Sequence, residues 1–206
     1  NGSGTLTLGA AGNYTGATTI NAGVIKLGAN NAITNSSALN IAASSATLDL
    51  NGYTLATAEA LTLSGTGYSS AGALTNSSAT TATYSGLITL GANATIKASS
   101  GNIVLSNAGT ITGATYTLTL DGTATASSLA SIVGTTTGGI TKEGTGTWTL
   151  SGANTYTGAT AISAGTLALT SDGTLGSSPS SLSIGNGAIL DIKRTLDLVL
   201  TTLSMT

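Results

Sequence analysis

The sequence predicts an all-β fold in which short strands stack as a parallel β-solenoid. Three observations predict it: a 26-residue segment occurs twice, polar and apolar residues alternate within that segment, and small residues dominate the chain. Thr, Ser and Gly contribute 41, 26 and 29 of the 206 residues. Apolar residues still make up 40% of the chain, so we expect it to fold around a core and not to remain disordered.

The repeat relates residues 2–27 to residues 144–169 without a gap, and 15 of the 26 positions are identical. The matching positions include Tyr14, Gly16, Ile20 and Gly23 in the first copy and Tyr156, Gly158, Ile162 and Gly165 in the second. Low complexity does not keep such positions in register. We therefore predict one solenoid domain over residues 1–206, with repeat units 2–63 and 144–205 and intervening coils over 64–143.

The individual strands are predicted from alternation with a period of two. Residues 5–8 and 23–27 alternate in the first copy, as do 147–150 and 165–169 in the second. Between the copies, short runs rich in apolar residues predict strands at 38–41, 46–50, 60–63, 87–90, 94–97, 102–105, 110–112, 115–120 and 129–133. Gly, Asn and Ser residues separate these runs. Residues 171–181, which contain the sole proline, predict a surface loop. No segment predicts a substantial α-helix.

Short strands of this kind suit either a β-sandwich or a solenoid. A sandwich needs large inward residues to fill a core about 10 Å thick, whereas aromatic residues make up only 3% of this chain. A solenoid has a narrow core, and Thr suits its outer faces because β-branched residues fit a pleated surface. The sequence therefore favours a solenoid, with about ten coils of about 20 residues in a rod about 50 Å long.

The composition excludes several classes of function. The chain has no Cys and no His, which excludes thiol and imidazole catalysis, disulfides and structural zinc sites. Five cations and a net charge of −2 do not make a nucleic-acid interface. We expect no cofactor and no metal, because the Asp-Gly pairs at 121–122 and 172–173 lack a calcium-binding spacing and predict turns.

Carboxylates are the only candidates for catalysis. They are Asp49, Glu59, Asp121, Glu143, Asp172, Asp191 and Asp197. An enzyme acting on polysaccharide needs two or three such groups converging in a groove. Lys142 and Glu143 are strand neighbours that point to opposite faces. A further group of charged residues near the end of the sequence predicts solvent-exposed salt bridges at an edge of the solenoid and not an active site; its members are Asp191, Lys193, Arg194 and Asp197. We therefore expect no enzyme.

Aromatic and threonine positions are predicted to serve the fold. Tyr14 and Tyr156 precede Thr-Gly at a corner in both copies, and Trp148 occupies the inward position of Leu6, which predicts structural packing. Thr-x-Thr at 5–7, 115–119 and 147–149 allows an ice-binding face. Because these pairs do not recur in every coil, Thr is expected here as a strand former.

The repeated segments GSGTLTLGAAGNYTGATTINAGVIKL and GTGTWTLSGANTYTGATAISAGTLAL resemble the autotransporter-associated β-strand repeat of type V secretion passengers. The segment with Leu48-Asp49-Leu50, echoed by Leu190-Asp191-Ile192, resembles the coil that often follows it. The resemblance implies a right-handed parallel β-helix passenger at the cell surface or outside the cell. It also implies a C-terminal β-barrel translocator as a partner, which is absent from this chain. Since Asn1 is neither an initiator Met nor part of a signal peptide, we expect a piece of a longer secreted protein.

The expected function is therefore that of a non-enzymatic extracellular rod, a passenger segment acting in adhesion, display or as a stalk. The alternative is a subunit of a self-assembling filament or surface layer, whose partner is a second copy joined by end-to-end strand pairing. An ice-binding solenoid and a polysaccharide-acting enzyme are weaker alternatives. The residues do not identify a host, matrix or surface ligand.

Overall fold

The computed structural model describes residues 2–34, 36–56, 59–170, 172–178, 181–193 and 203–205. This part of the chain is all-β apart from one short 3₁₀ turn at Tyr68–Ser70, and it forms a parallel β-solenoid. The predicted fold class is confirmed. Within these residues there is no helix of the length and apolarity needed to span a bilayer.

Short strands follow one another along the whole described chain. The first eleven are β1 (Thr5–Leu8), β2 (Thr18–Ile20), β3 (Gly23–Leu27), β4 (Leu39–Ile41), β5 (Ala46–Asp49), β6 (Thr54–Leu55), β7 (Leu61–Gly65), β8 (Leu74–Thr75), β9 (Ala82–Tyr84), β10 (Ile88–Ala98) and β11 (Ile103–Leu105). The others are β12 (Thr110–Ile111), β13 (Leu118–Gly122), β14 (Ser127–Leu129), β15 (Ile132–Val133), β16 (Ile140–Lys142), β17 (Thr147–Leu150), β18 (Thr160–Ile162), β19 (Thr166–Thr170), β20 (Leu182–Ile184), β21 (Ile189–Lys193) and β22 (Leu203–Met205).

These strands form three parallel faces around one axis. The first face has the order β1-β3-β5-β8-β10-β13-β16-β18-β20-β22, and the second has the order β6-β9-β11-β14-β17-β19-β21. The third face contains β2, β4, β7 and the start of β10, and then β12 and β15. Strand β10 pairs with β7 up to Leu90 and with β13 from Ala94. This single long strand therefore joins the third face to the first.

The first face contains ten stacked strands, and the nine steps between them run from Leu6 to Met205, so a turn takes about 22 residues on average. Leu6 pairs with Ile25, a step of 19 residues, whereas Leu48 pairs with Leu74, a step of 26 residues. The longer step contains the 3₁₀ turn. At about 4.8 Å between strands, the ten strands of the first face give an axis about 43 Å long, a little shorter than the expected length of about 50 Å.

The core is a set of aliphatic columns that run along the axis. On the first face, Leu48, Leu74 and Ile96 stack in register on successive turns and are fully buried. Their strand neighbours point outward, as in the row formed by Thr95 and Thr119. The alternation seen in the sequence is thus the alternation between core and surface.

Asparagine side chains satisfy backbone groups at the corners between faces. Asn76 is buried, and its Oδ1 accepts a hydrogen bond from Gly52 N at 2.8 Å while its Nδ2 donates to Asn102 O at 2.9 Å. Asn154 is also buried, and its Oδ1 accepts from Val133 N at 2.6 Å. Backbone carbonyl and amide groups at a corner have no partner in a neighbouring strand. The asparagine side chains provide that hydrogen bond, so these backbone groups are not buried unsatisfied.

Most of the predicted strand positions coincide with strands. The two predicted at 87–90 and 94–97 are parts of the single strand β10, and the one predicted at 129–133 is divided between the end of β14 and β15. Several strands were not predicted, because each is only two or three residues long and shows too little alternation to detect; they are β2, β6, β8, β9, β16, β18, β20 and β22. The predicted loop 171–181 lies partly outside the described residues.

Candidate functional site

The tyrosine of the repeated motif makes the same hydrogen bond in both copies. Tyr14 Oη lies 2.9 Å from Thr18 Oγ1, and Tyr156 Oη lies 2.7 Å from Thr160 Oγ1. The surroundings differ, because Tyr156 is fully buried whereas 39% of Tyr14 is exposed. Burial raises the pKa of Tyr156 far above its ordinary value, so its hydroxyl stays protonated and available as a donor. The internal ring therefore packs in the core, and the first-copy ring lies at the surface.

The last glycine of the motif sits where a side chain would not fit. Gly23 and Gly165 have φ values of +77° and +65°, a region that L residues rarely adopt. A Cβ on Gly23 would overlap the carbonyl oxygens of Gly2 and Gly4, and one on Gly165 would overlap the equivalent oxygens in the second copy. These positions allow the backbones of consecutive turns to approach closely.

The other two motif positions are a glycine, which is crowded only in the second copy, and a core isoleucine. A Cβ on Gly158 would overlap the carbonyl oxygen of Gly138 on the preceding turn, whereas Gly16 has open space around it. Ile20 and Ile162 are both buried in the core. The motif residues therefore build a corner and its packing, and none of them contributes a reactive group to a cleft.

The two copies of the motif occupy different faces of the solenoid. In the first copy β1 and β3 belong to the first face and β2 to the third. In the second copy the equivalent strands β17 and β19 belong to the second face, and β18 belongs to the first. Every element of the second copy is thus advanced by one face. The repeat preserves local structure but turns it by a third of a revolution about the axis.

Asp49 is the most enclosed of the described aspartates. Only 4% of the residue is exposed, and its Oδ1 accepts hydrogen bonds from the backbone of Asn51 at 2.9 Å and of Ser77 at 3.0 Å. Its Oδ2 accepts a bond from Ser77 Oγ at 2.6 Å and lies 3.6 Å from Lys26 Nζ. These partners are backbone and side-chain groups of three consecutive turns, so the Asp49 carboxylate connects those turns at one corner. Asp49 follows the buried Leu48 in its strand, and its own side chain is almost completely covered.

The other described acids lie apart from each other or form ion pairs. Asp121 Oδ2 lies 2.9 Å from Lys97 Nζ, and Asp191 Oδ2 lies 2.9 Å from Lys193 Nζ. The second pair is the predicted solvated salt-bridge edge; Arg194 and Asp197, also assigned to it, lie outside the described residues.

The remaining three acids do not form a cluster either. Glu59 is buried at a corner, and Glu143 and Asp172 are exposed. The part of the chain that the structure describes has no group of three acidic side chains suited to a metal ion.

Lys142 is the least expected ionisable group, because it points into the core. It occupies the inward column between Leu120 and Ile162 and is fully buried. Its Nζ donates to the carbonyl oxygens of Glu143, Gly144 and Ala164, at 2.5, 2.8 and 3.2 Å. Desolvation lowers the pKa of Lys142, and the negative charges of Asp121 and Glu143 oppose that effect. The ammonium thus holds two successive corners together.

Trp148 replaces the Leu6 of the first copy inside the core. The indole is 1% exposed, and its Nε1 donates to Asp121 O at 3.0 Å. Leu6 occupies the same position at the start of the solenoid and is 58% exposed. The difference arises because β14 pairs with β17 on the side where β1 has no described partner.

The threonine rows do not produce a repeated Thr-x-Thr surface. On the first face Thr95, Thr119 and Thr141 align on successive turns. The next outward row, two residues later along these strands, contains the ion pair Lys97–Asp121. The charged row interrupts the uniform Thr array on which the ice-binding interpretation depends.

The exposed first turn borders a groove of about 380 Å³. Gly2, Leu6, Ile20 and Ile25 are among the residues that line it. Gly4 O accepts a hydrogen bond from Val24 N and Leu8 O accepts one from Gly28 N, so the backbone groups of Thr5 and Thr7 face the open edge. The groove is mostly apolar, with Thr5, Thr19 and Asn21 as its polar lining residues and no ionisable side chain among the residues that line it. Such a lining suits strand or side-chain packing.

Fold and motif together define a repeat protein of the β-solenoid class. Residues 1–27 and 140–169 match the family model of the passenger-associated-transport-repeat. The chain is also 43% identical over 82 residues to the adhesin BmaC autotransporter of Brucella suis biovar 1 (strain 1330). That match covers 40% of this chain and 2% of that protein, and no solved structure matches. The predicted resemblance is confirmed: the chain carries repeats of the autotransporter passenger family.

Proposed function

We propose that this passenger β-helix acts as a non-enzymatic rod at the cell surface, in adhesion, display or as a stalk. The observation that carries the proposal is the use of the ionisable side chains: Asp49, Asp121 and Asp191 are held in ion pairs or corner hydrogen bonds. Apart from the exposed Glu143 and Asp172, what remains of the described surface is mostly a stack of Thr- and Ser-lined turns around an aliphatic core. Passengers of this family are exposed at the surface, and the matched relative is named as an adhesin.

The test separates a stalk from an adhesive surface. The 206 residues are displayed on a bacterium through an unrelated translocator, and attachment to epithelial monolayers is counted. The control displays an unrelated β-solenoid with the same number of turns. Attachment above the control supports adhesion, and equal attachment supports a spacer. Small-angle scattering that finds a globular particle, or hydrolysis of a panel of polysaccharides, would overturn the proposed rod.

A filament is the second candidate, and a second copy of this 206-residue chain would pair at the edge of β1 that has no partner among the described residues. Exposed Leu6 and the outward backbone groups of Thr5 and Thr7 form an unpaired strand edge, which is a template for strand addition. Light scattering and negative-stain microscopy of the purified chain follow fibre growth. Thr7→Pro removes one edge donor and should stop growth in a chain that stays folded. Particles that remain monomeric at high concentration would exclude the filament.

A further inference from the structure

The turn between β20 and β21 contains an Asn-Gly pair with unusual access to solvent. Asn186 and Gly187 are both exposed, and a Cβ built on Gly187 would have nothing within 4 Å. Ala188 N donates to Gly185 O at 3.0 Å and closes the turn. Within the described chain the Asn186 side chain makes no hydrogen bond. The amide and the following backbone nitrogen are therefore both free to react.

We propose that Asn186–Gly187 is a site of spontaneous covalent modification, at which the asparagine deamidates through a cyclic imide. The Gly187 backbone nitrogen attacks Cγ of Asn186 and forms a new C–N bond. The bond from Cγ to the side-chain nitrogen breaks, and that nitrogen leaves as ammonia with the proton from Gly187. Water then opens the imide at either carbonyl and yields aspartate or isoaspartate. Only water is consumed, and glycine assists because it has no Cβ to shield its nitrogen.

A second Asn-Gly pair in the same chain is protected by the fold. Gly52 N donates to Asn76 Oδ1 at 2.8 Å, and Asn51 Nδ2 donates to Leu27 O at 2.9 Å. Attack on Asn51 would break both bonds. The two turns also differ in form, since Asn51 and Gly52 both have positive φ, as in a type I′ turn, whereas of the second pair only Gly187 does, as in a type II turn. We expect the deamidation rate of Asn51 to be at least about tenfold lower than that of Asn186.

The modification has a structural consequence at the end of the second face. The turn leads directly into β21, whose first backbone bond runs from Ile189 N to Gly165 O at 2.8 Å. Isoaspartate adds one atom to the main chain of this tight turn and a negative charge near Asp191. Strand β21 should therefore exchange its amide hydrogens faster after the reaction, because it lies at the edge of its sheet.

Peptide mapping after incubation in mildly alkaline buffer tests the proposal. Trypsin cleaves after the five basic residues, which places the three Asn-Gly pairs of the sequence, at 1–2, 51–52 and 186–187, in the separate peptides 1–26, 27–97 and 143–193. Mass spectrometry quantifies the exchange of ammonia for water, and an isoaspartyl methyltransferase labels the isoaspartate product. We expect label to appear in 143–193 before it appears in 27–97, and Asn186→Gln should abolish the label in 143–193. Equal rates in these two peptides, or label that survives in 143–193 of Asn186→Gln, would overturn the assignment.

The same measurement on the chain in denaturant shows whether the fold causes the difference. Unfolding removes the hydrogen bonds around Asn51, so the two rates should converge. A difference that persists in denaturant would overturn the proposed protection, because it would then arise from the local sequence. Hydrogen exchange of residues 189–193 before and after incubation, with Asn186→Gln as the control, completes the test: unchanged exchange in the modified chain would contradict the effect on β21.

Discussion

The internal repeat provides a matched pair of substitutions in one molecule, Tyr156→Phe and Tyr14→Phe. Each removes one hydroxyl that bonds a threonine four residues later. At the buried copy the loss leaves Thr160 Oγ1, in a fully buried residue, without its partner. Losing the bond and stranding the hydroxyl should lower the free energy of unfolding by about 1–3 kcal/mol. At the exposed copy Thr18 keeps Ser36 Oγ at 3.2 Å and is open to water, so we expect less than about 0.5 kcal/mol.

Equilibrium unfolding in urea measures both variants, with Trp148 as the sole tryptophan and the fluorescent reporter. The midpoint should fall for Tyr156→Phe and stay near that of the parent chain for Tyr14→Phe, with the same dependence on denaturant for all three. Equal effects of the two substitutions would refute the reasoning, since the motif would then contribute independently of its burial.

Three further predictions use the same logic of burial and position. Because burial lowers the pKa of Lys142 from 10.5, the unfolded chain binds this proton more tightly, and stability should rise with pH up to about 10; Lys142→Met should flatten that rise in urea midpoints measured against pH. Asp49→Ala should cost about 2 kcal/mol or more and Asp191→Ala less than about 0.5 kcal/mol, a ranking that thermal unfolding would contradict if it came out reversed. Gly158→Ala should lower the urea midpoint, at about 1–3 kcal/mol, whereas Gly16→Ala should leave it unchanged or raise it slightly; a similar loss in both would count against the packing argument.

The all-β solenoid could be predicted from the sequence because its signals are local. Alternation between polar and apolar residues shows which residues face the core, and the ungapped repeat shows that successive segments stack in the same way. The inward position of Trp148 followed from its alignment with Leu6, and the pairing of Asp191 with Lys193 followed from their spacing within one strand. Each of these inferences depends on neighbours in the chain.

What could not be predicted depends on the length of each turn. Lys26 with Asp49 and Lys97 with Asp121 pair across turns of 23 and 24 residues, and only a known register brings them together. The corner bonds of Asn76 have the same origin. Lys142 was missed for another reason: lysine at an inward phase contradicts the core pattern, and only the three nearby carbonyl groups account for it.

The displacement of the second repeat by one face decides how the molecule looks to anything that approaches it. A partner that binds one copy of the motif does not meet the other copy on the same faces. A bivalent partner aligned with the long axis therefore cannot bind both copies at once. If further copies followed at the same interval, each would be rotated by another third of a revolution about the solenoid axis. The fourth copy would then lie on the same faces as the first. Such an arrangement spreads identical features to every side.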